Sequence, residues 1–176
     1  MDGNSAFNQN ADFNLLGSLS ESPENLHTIL NTIPSAVVLI DLNGNFKFVN
    51  KRGIEILGID CTGVSIDDYI KRIKATRLSG KPIPSEEIPV RRSLKDGVVI
   101  RNIELSIENA NGVKTPVNVS SAPLYDSAGN ITGAIITFED ITKHKQAIQA
   151  LRDSQTNALS LVNELEKVKD ELTVEV

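Results

Sequence analysis

The chain has 176 residues, of which 40% are hydrophobic and 23% are charged, and its formal net charge is -5. These values predict one soluble domain with flanking segments, and they argue against a nucleic-acid partner, which would require a basic surface. No apolar run is long enough to span a bilayer. The single cysteine, Cys61, excludes an internal disulfide and a zinc site built from cysteines. Because the sequence also lacks a secretory signal, we expect a cytoplasmic protein with no membrane segment in this chain.

The first part of the chain predicts a flexible lead and then a helix. Residues 1–23 lack apolar periodicity and offer little to bury. Ser22 followed by Pro23 is a helix-start signal, and Pro34 ends the helix, so 24–34 is predicted as an N-terminal cap helix. Its apolar residues recur at helical spacing, which predicts that one face of the helix covers a sheet. These residues are Leu26, Ile29, Leu30 and Ile33.

The predicted core, 35–141, begins and ends with strands. Ala36–Ile40 is a continuous apolar run typical of a strand buried on both faces, and the alternation in 45–50 predicts a second strand paired with it. After residue 97, alternating or apolar segments separated by glycine-containing turns predict three more strands, of which 131–138 is apolar on both faces. We expect this last strand to lie beside the first, because strands buried on both faces are central.

Short helical signals predominate between the two groups of strands. Apolar residues from Ile66 to Ile73 form one helical stripe, and Ser85 is predicted to cap a helix that Gly97 terminates. The order of elements predicts an α+β fold, with a five-stranded antiparallel sheet and short helices on one face. Arg101 occupies an apolar position of the third strand, where it would lie at the sheet edge or pair with a carboxylate.

From 142 to 176 the pattern is helical. The predicted helix is about 50 Å long at about 1.5 Å per residue, which is more than the core needs for cover. Apolar residues follow alternating steps of three and four, which predicts a coiled-coil seam that Gln155 and Lys169 interrupt. Packing of the helix back onto the sheet is the alternative. The apolar seam residues are Ile148, Leu151, Ala158, Val162, Leu165 and Leu172.

Three stretches of the sequence resemble the PAS domain family of sensory modules. The first, Ile33–Asn50, contains an Asp-x-x-Gly turn at Asp41 and is similar to the family's first hairpin. The second, Ala122–Gly133, resembles the hairpin between the fourth and fifth strands. The third, Asp140-Ile141-Thr142, is similar to the Asp-Ile-Thr motif that closes many members. The resemblance covers about residues 25–145.

The resemblance implies a five-stranded antiparallel sheet with a pocket under short helices, and a homodimer formed through flanking helices. It implies a sensory role in a signal-transduction protein, upstream of an output domain such as a histidine kinase. No phosphorylatable-histidine, nucleotide-lid or P-loop motif is present, so the chain itself is expected not to be an enzyme. The expected pocket residues are Ile40, Phe48, Asn50, Ile54, Leu57, Tyr69, Ile73, Ile88, Leu94, Ile103, Leu105, Val119 and Ile136.

The Asp140-Ile141-Thr142 segment also has a physical interpretation, as the joint between the last strand and the long helix. Thr142 is expected to cap the helix by accepting a backbone N–H, and Asp140 suits the positive end of the helix dipole. A rigid joint would transmit changes in the sheet to the helix, in line with the resemblance. A cap that only stabilises the helix is the alternative.

A haem- or flavin-bearing redox or light sensor is the alternative function. Cys61 lies before Gly63, whereas a flavin-binding member carries its cysteine in an Asn-Cys-Arg type helix. The two histidines, His27 and His144, fall outside the middle helices where the family's haem ligand lies. We therefore predict no cofactor and no metal site, while an unidentified small ligand stays possible.

Polar residues at two places in the sequence could either contact a ligand or have a structural role. Asn50 could contact a ligand or cap the following helix, and the cap is favoured. Arg91 or Arg92 could point inward and bind a carboxylate through two hydrogen bonds, although a solvated helix face is favoured. A ligand-free dimerisation scaffold, with its pocket filled by its own side chains, is the remaining alternative.

Overall fold

The computed structural model describes residues 22–174, so the predicted flexible lead, 1–23, lies almost entirely outside the described residues. The described residues fall into two compact units, which divide between Glu139 and Asp140. The elements of the first are α1 (Pro23–Thr32), β1 (Ala36–Asp41), β2 (Phe46–Val49), α2 (Lys51–Leu57), α3 (Ile66–Arg72), β3 (Lys74–Arg77), a 3-10 turn (Ser85–Glu87), α4 (Pro89–Asp96), β4 (Ile100–Glu108), β5 (Lys114–Tyr125) and β6 (Ile131–Asp140). Helix α5 (Thr142–Val174) forms the second.

Within residues 22–174, six strands form one antiparallel sheet in the order β2-β1-β6-β5-β4-β3. The predicted pairing of the first strand with the last is confirmed, since β1 pairs with β6 from Ala36–Phe138 to Asp41–Gly133. The prediction of five strands is wrong by one. β3 pairs with β4 from Lys74–Glu108 to Arg77–Leu105. Its four residues include two cations and no large apolar side chain, so they carry no strand signal of their own.

Both outer strands of the sheet are covered by the chain that follows them. On β2, the Phe46 N–H donates to the Val64 carbonyl at 2.9 Å, and the Phe46 carbonyl accepts from the Gly63 N–H at 2.8 Å. On β3, the Arg77 N–H donates to the Lys81 carbonyl at 2.8 Å. The outward-facing backbone groups of Phe46 and the N–H of Arg77 are therefore satisfied by local loops.

The core lies between one face of the sheet and the helices that follow β2. Alternate side chains of the central strands point to it, which is the period-two pattern of a half-covered sheet. Full burial of each large aliphatic side chain contributes about 1.5–3 kcal/mol. The buried residues that carry this packing include Val38, Ile40, Phe46, Leu57, Ile66, Ile73, Val90, Val117, Val119, Ala134 and Phe138.

The sequence predicts that the apolar face of α1 covers the sheet, but this face of α1 is not buried in the structure. No residue of α1 is buried, and the Leu26 side chain is 49% exposed. Hydrogen bonds hold the helix instead: Asn50 Nδ2 donates to the Leu30 carbonyl at 2.8 Å, and the Lys51 N–H donates to Asn31 Oδ1 at 2.8 Å. The helix is thus held at the corner between β2 and α2 by these hydrogen bonds and by the contact of its His27 ring with Phe48.

The predicted helix capped by Ser85 is split in two. Ser85–Glu87 forms a 3-10 turn, and α4 begins only at Pro89. The residue before a proline is disfavoured in the helical region, and Ile88 accordingly has φ -61° and ψ 124°. Pro89 then suits the first helical position, because its missing N–H has no partner there in any case.

A bulge in β4 moves Arg101 out of the apolar position predicted for it. The register of β4 on β5 shifts between Ile100 and Ile103, and Asn102 has φ 56°. Asparagine tolerates this left-handed backbone better than most residues do. Arg101 is exposed as a result.

Helix α5 begins at Thr142, and the prediction of a long C-terminal helix is confirmed. Leu151, Val162 and Leu165 are exposed by 61%, 50% and 62%, and Ala158 is exposed too, whereas Ile148 is half-buried. The side chain of Leu172 lies outside the described residues. None of the described helices is long and apolar enough to cross a membrane.

Candidate functional site: an apolar cavity under the helices

A cavity of about 100 Å³ lies between the sheet and the segments that cover it. All six strands contribute to one wall, while α2, α3 and the start of α4 form the other. The structure brings part of the predicted pocket set together around this space. These residues are Ile40, Leu57, Tyr69, Ile73, Ile88, Leu105, Val119 and Ile136.

The remaining residues of the predicted pocket lie elsewhere. Phe48 and Ile54 line a surface groove, and Leu94 lines a surface cleft. Ile103 is 41% exposed near the bulge of β4. Asn50 is fully buried, but its side chain binds backbone groups. None of these five residues lines the cavity.

A bulge between β1 and β2 explains why Phe48 does not line the cavity as the sequence predicts. Phe46 and Phe48 are two residues apart, so regular alternation predicts that both face the same side. The register of β1 on β2 shifts between Leu39 and Ile40, with Leu39 opposite Phe48 and Ile40 opposite Phe46. Phe46 therefore lines the cavity, whereas Phe48 packs edge-on against the ring of His27 at 5.5 Å between centroids.

Several residues that line the cavity were not among those predicted from the sequence. Ile66 and Ile70 belong to the same helical stripe as Tyr69, and this stripe was the signal that could have found them. Ala75 lies on β3, a strand that the sequence did not indicate. The other residues that line the cavity are Val38, Phe46, Pro89, Val90, Ile107 and Phe138.

Tyr69 is the cavity-lining residue with a polar side-chain atom. Its ring packs against Phe46 with 4.8 Å between centroids and an angle of 47°. Burial raises the pKa of the Tyr69 hydroxyl far above its ordinary value, so the group stays protonated at physiological pH. No hydrogen bond joins this hydroxyl to another described side chain. As a phenol, it can both donate and accept hydrogen bonds.

Asn50 is a structural junction between α1, β1 and α2. Its Oδ1 accepts from the Val37 N–H and the Gly53 N–H, each at 2.9 Å, and the second bond caps α2. Its Nδ2 donates to the carbonyls of Leu30 and Ser35 at 2.8 and 3.0 Å. One buried side chain thus joins α1, β1 and α2, which is the favoured interpretation as a cap rather than a ligand contact.

At the start of α5, the hydrogen bonds run opposite to the prediction. Asp140 Oδ1 accepts from both the backbone N–H and the hydroxyl of Thr142, at 2.9 and 2.5 Å. Thr142 is the first residue of the helix and donates, whereas it was expected to accept. The Lys145 N–H donates to the Ile141 carbonyl at 2.9 Å and begins the helical ladder. Asp140 therefore fixes the first turn, where its charge also suits the helix dipole.

The residues considered for cofactor chemistry lie away from the cavity lining. The Cys61 thiol is buried near the Ile59 carbonyl, 3.7 Å from it, and burial raises its pKa to about 11. His27 lies on α1, and His144 is exposed on α5. Among residues 22–174, no group of three His, Cys, Asp or Glu side chains is arranged to hold a metal ion.

Ion pairs join the segments that cover the cavity. Arg91 of α4 donates through Nη2 to Asp67 of α3. Arg77 of β3 pairs with Glu87 of the 3-10 turn at 2.5 Å. Neither arginine lines the cavity. Arg91 lines a separate cleft and its Nε is buried, so it does not lie on the fully solvated helix face that was favoured for it.

Solved structures with the same fold are similar to this chain at low sequence identity. The PAS domain of a protein from Colwellia psychrerythraea has a TM-score of 0.50 and 19% identity, over 68% of this chain and 97% of that chain. An RNA-binding light-oxygen-voltage receptor has 0.53 and 16%, over 78% of this chain and 38% of that chain. The Vibrio cholera VqmA–ligand–DNA complex has 0.50 and 17%, over 69% and 52%. These similarities concern the fold alone.

No curated protein sequence matches the chain. A model of the PAS domain family matches residues 34–143, which is more than half of the chain. The match includes the sheet, the helices over the cavity and the joint at Asp140. The chain therefore belongs to the PAS domain family.

Proposed function

We propose that this chain is the sensory module of a signal-transduction protein, with a histidine kinase as the expected output partner, and that it catalyses no reaction itself. A small molecule in the cavity, or a partner protein, would change the packing of α3 and α4 over the sheet. The observation that carries the proposal is the apolar cavity between the sheet and these helices. A cytoplasmic location is part of the proposal and is supported by the single, unpaired cysteine.

The size of the cavity favours a ligand of a few carbon atoms. An engineered apolar cavity of roughly 150 Å³ takes up benzene, whereas sites for drug-sized ligands occupy roughly 300 Å³ or more. The cavity here measures about 100 Å³. A flavin or haem ring needs far more room than this, which supports a small ligand over a cofactor-based sensor.

The signal would leave through the joint at Asp140 and helix α5. The two bonds from Thr142 to Asp140 fix the first turn of the helix. Further along, Leu151, Val162 and Leu165 expose at least half of their side chains to water. Burial of such side chains stabilises an assembly by about 1.5–3 kcal/mol each. We propose that α5 pairs with the same helix of a second copy as a coiled coil.

The test measures the binding of hexan-1-ol by changes in NMR amide shifts and the pairing of α5 by light scattering. Ala75→Leu adds a larger side chain at the cavity wall and is expected to abolish binding. Ala122→Leu is the matched control, because Ala122 is a half-buried strand residue that lines a groove outside the cavity. In the wild type, hexan-1-ol should also change the pairing of α5.

Equal binding by both variants, or binding without any effect on α5, would count against the proposal. An absorption spectrum of the purified protein gives an independent check. A Soret or flavin band would overturn the small-ligand proposal in favour of the cofactor-based sensor.

A further inference from the structure

A polar cleft adjoins the cavity on the outside of its helical wall. The cleft measures about 520 Å³ and lies between the β1–β2 turn, α3 and α4. Ile66 lines both the cleft and the cavity. The two spaces therefore meet at a single aliphatic side chain, with charged groups on one side and apolar groups on the other.

Arg91, which lines this cleft, has one guanidinium N–H donor that is paired and one that is not. Its Nη2 donates to Asp67 Oδ1, while its Nε is buried and has no hydrogen-bond partner. Nε and Nη2 lie on one edge of the guanidinium group and match the two oxygens of one carboxylate. Asp67 uses only one of these donors. A buried donor without a partner is costly, so a carboxylate that engaged both would satisfy Arg91 better.

The other charged groups of the cleft balance one another. Arg92 and Lys95 supply two cations, and Glu86 and Asp96 supply two carboxylates, next to the Asp67–Arg91 pair. The net charge of the lining is therefore near zero, and recognition must depend on the geometry of Arg91 rather than on the overall field. Asp67 is 74% exposed and sits on α3, so it can turn into solvent when another carboxylate replaces it.

We propose that the cleft binds the carboxylate of a small amphiphilic ligand whose short apolar chain passes Ile66 into the cavity. This inference rests on the proposed function and names the ligand class for the same site. The ligand carboxylate takes both Nε and Nη2 of Arg91 and displaces Asp67. Asp67 thus acts as an internal competitor that holds α3 to α4 until the ligand releases it, which links binding directly to the packing of the two helices.

Hexanoate is the probe, and its dissociation constant is measured by NMR titration. Arg91→Gln should weaken hexanoate binding by about tenfold or more, because two charge-assisted hydrogen bonds are lost. Asp67→Asn should tighten it by about threefold, because a competing exposed carboxylate is removed. Asp68→Asn is the matched control on α3; Asp68 pairs with Lys71 and does not line the cleft, so affinity should not change.

The opposite signs of the two effects separate this inference from a purely structural ion pair, whose removal from either side would change affinity in the same direction. Hexan-1-ol has the same chain without the carboxylate. If it binds as tightly as hexanoate, or if Arg91→Gln and Asp67→Asn both weaken hexanoate, the carboxylate site is refuted while the proposed function stands. If neither probe binds, the carboxylate site and the small-ligand form of the proposed function are both refuted.

Discussion

Asn50→Ala is expected to lower the free energy of unfolding by about 4 kcal/mol. The Asn50 side chain is fully buried and makes four hydrogen bonds, all to backbone groups. Each is worth about 1 kcal/mol net, and the alanine variant would leave four backbone partners unsatisfied, two of them buried and two partly buried. Because a domain of this size is stable by about 5–15 kcal/mol in total, the loss should be large but measurable.

The assay is urea denaturation followed by circular dichroism, with the midpoint compared at constant slope. Asn43→Ala is the matched control, because Asn43 is exposed in the turn between β1 and β2. The control should change the free energy of unfolding by less than about 0.5 kcal/mol. If Asn50→Ala costs no more than the control, the four hydrogen bonds do not hold the corner together and the interpretation of Asn50 as a junction is wrong.

Three further outcomes are expected. The hydrogen bond from the backbone N–H of Asn45 is the main cause that lowers the pKa of Asp41 to about 2. The free energy of unfolding should therefore fall as the pH drops from about 4 towards 2. In urea titrations, Asp41→Asn should flatten this fall. In Gly133→Ala the new Cβ would lie 2.3 Å from a carbonyl oxygen of β1, which should cost more than about 2 kcal/mol in thermal melts. Val162→Asp with Leu165→Asp should convert a dimer into a folded monomer by light scattering.

Each of these outcomes has a result that contradicts it. An acid-sensitivity profile that is the same in Asp41→Asn and the wild type would mean that the carboxylate does not stabilise the turn. If Gly133→Ala had wild-type stability, β1 and β6 would have to lie further apart at Gly133 than they do in this structure. An unchanged mass for the double aspartate variant would remove the coiled-coil proposal for α5.

Features that depend on local patterns could be predicted from the sequence. Continuous apolar runs identified β1 and β6 as neighbours, and Ser22 and Gly97 delimit helices as expected. The helical stripe of α3 led to Tyr69 and Ile73 in the cavity. These cases share one cause: burial or capping of the residue is decided within a few positions along the chain.

Features that depend on pairing between distant segments could not be predicted. Strand β3 is charged and forms only because β4 offers it an open edge. The irregular pairing of β1 with β2 decides that Phe46, not Phe48, faces the cavity. At Arg101 the bulge in β4 has the same effect. A shift of one residue exchanges the two faces of a strand, and such a shift leaves no trace in hydrophobic alternation.

The loops that cover β2 and β3 have a consequence for self-association. An uncovered outer strand can recruit a strand from another molecule and so start aggregation or domain swapping. Here Gly63 and Val64 occupy the backbone groups of Phe46, and Lys81 occupies the N–H of Arg77. A second copy would have to displace these loops before its sheet could continue this one. Strand exchange at these positions is therefore disfavoured, which leaves side-chain surfaces, whose contacts single substitutions can tune, as the easier route to self-association.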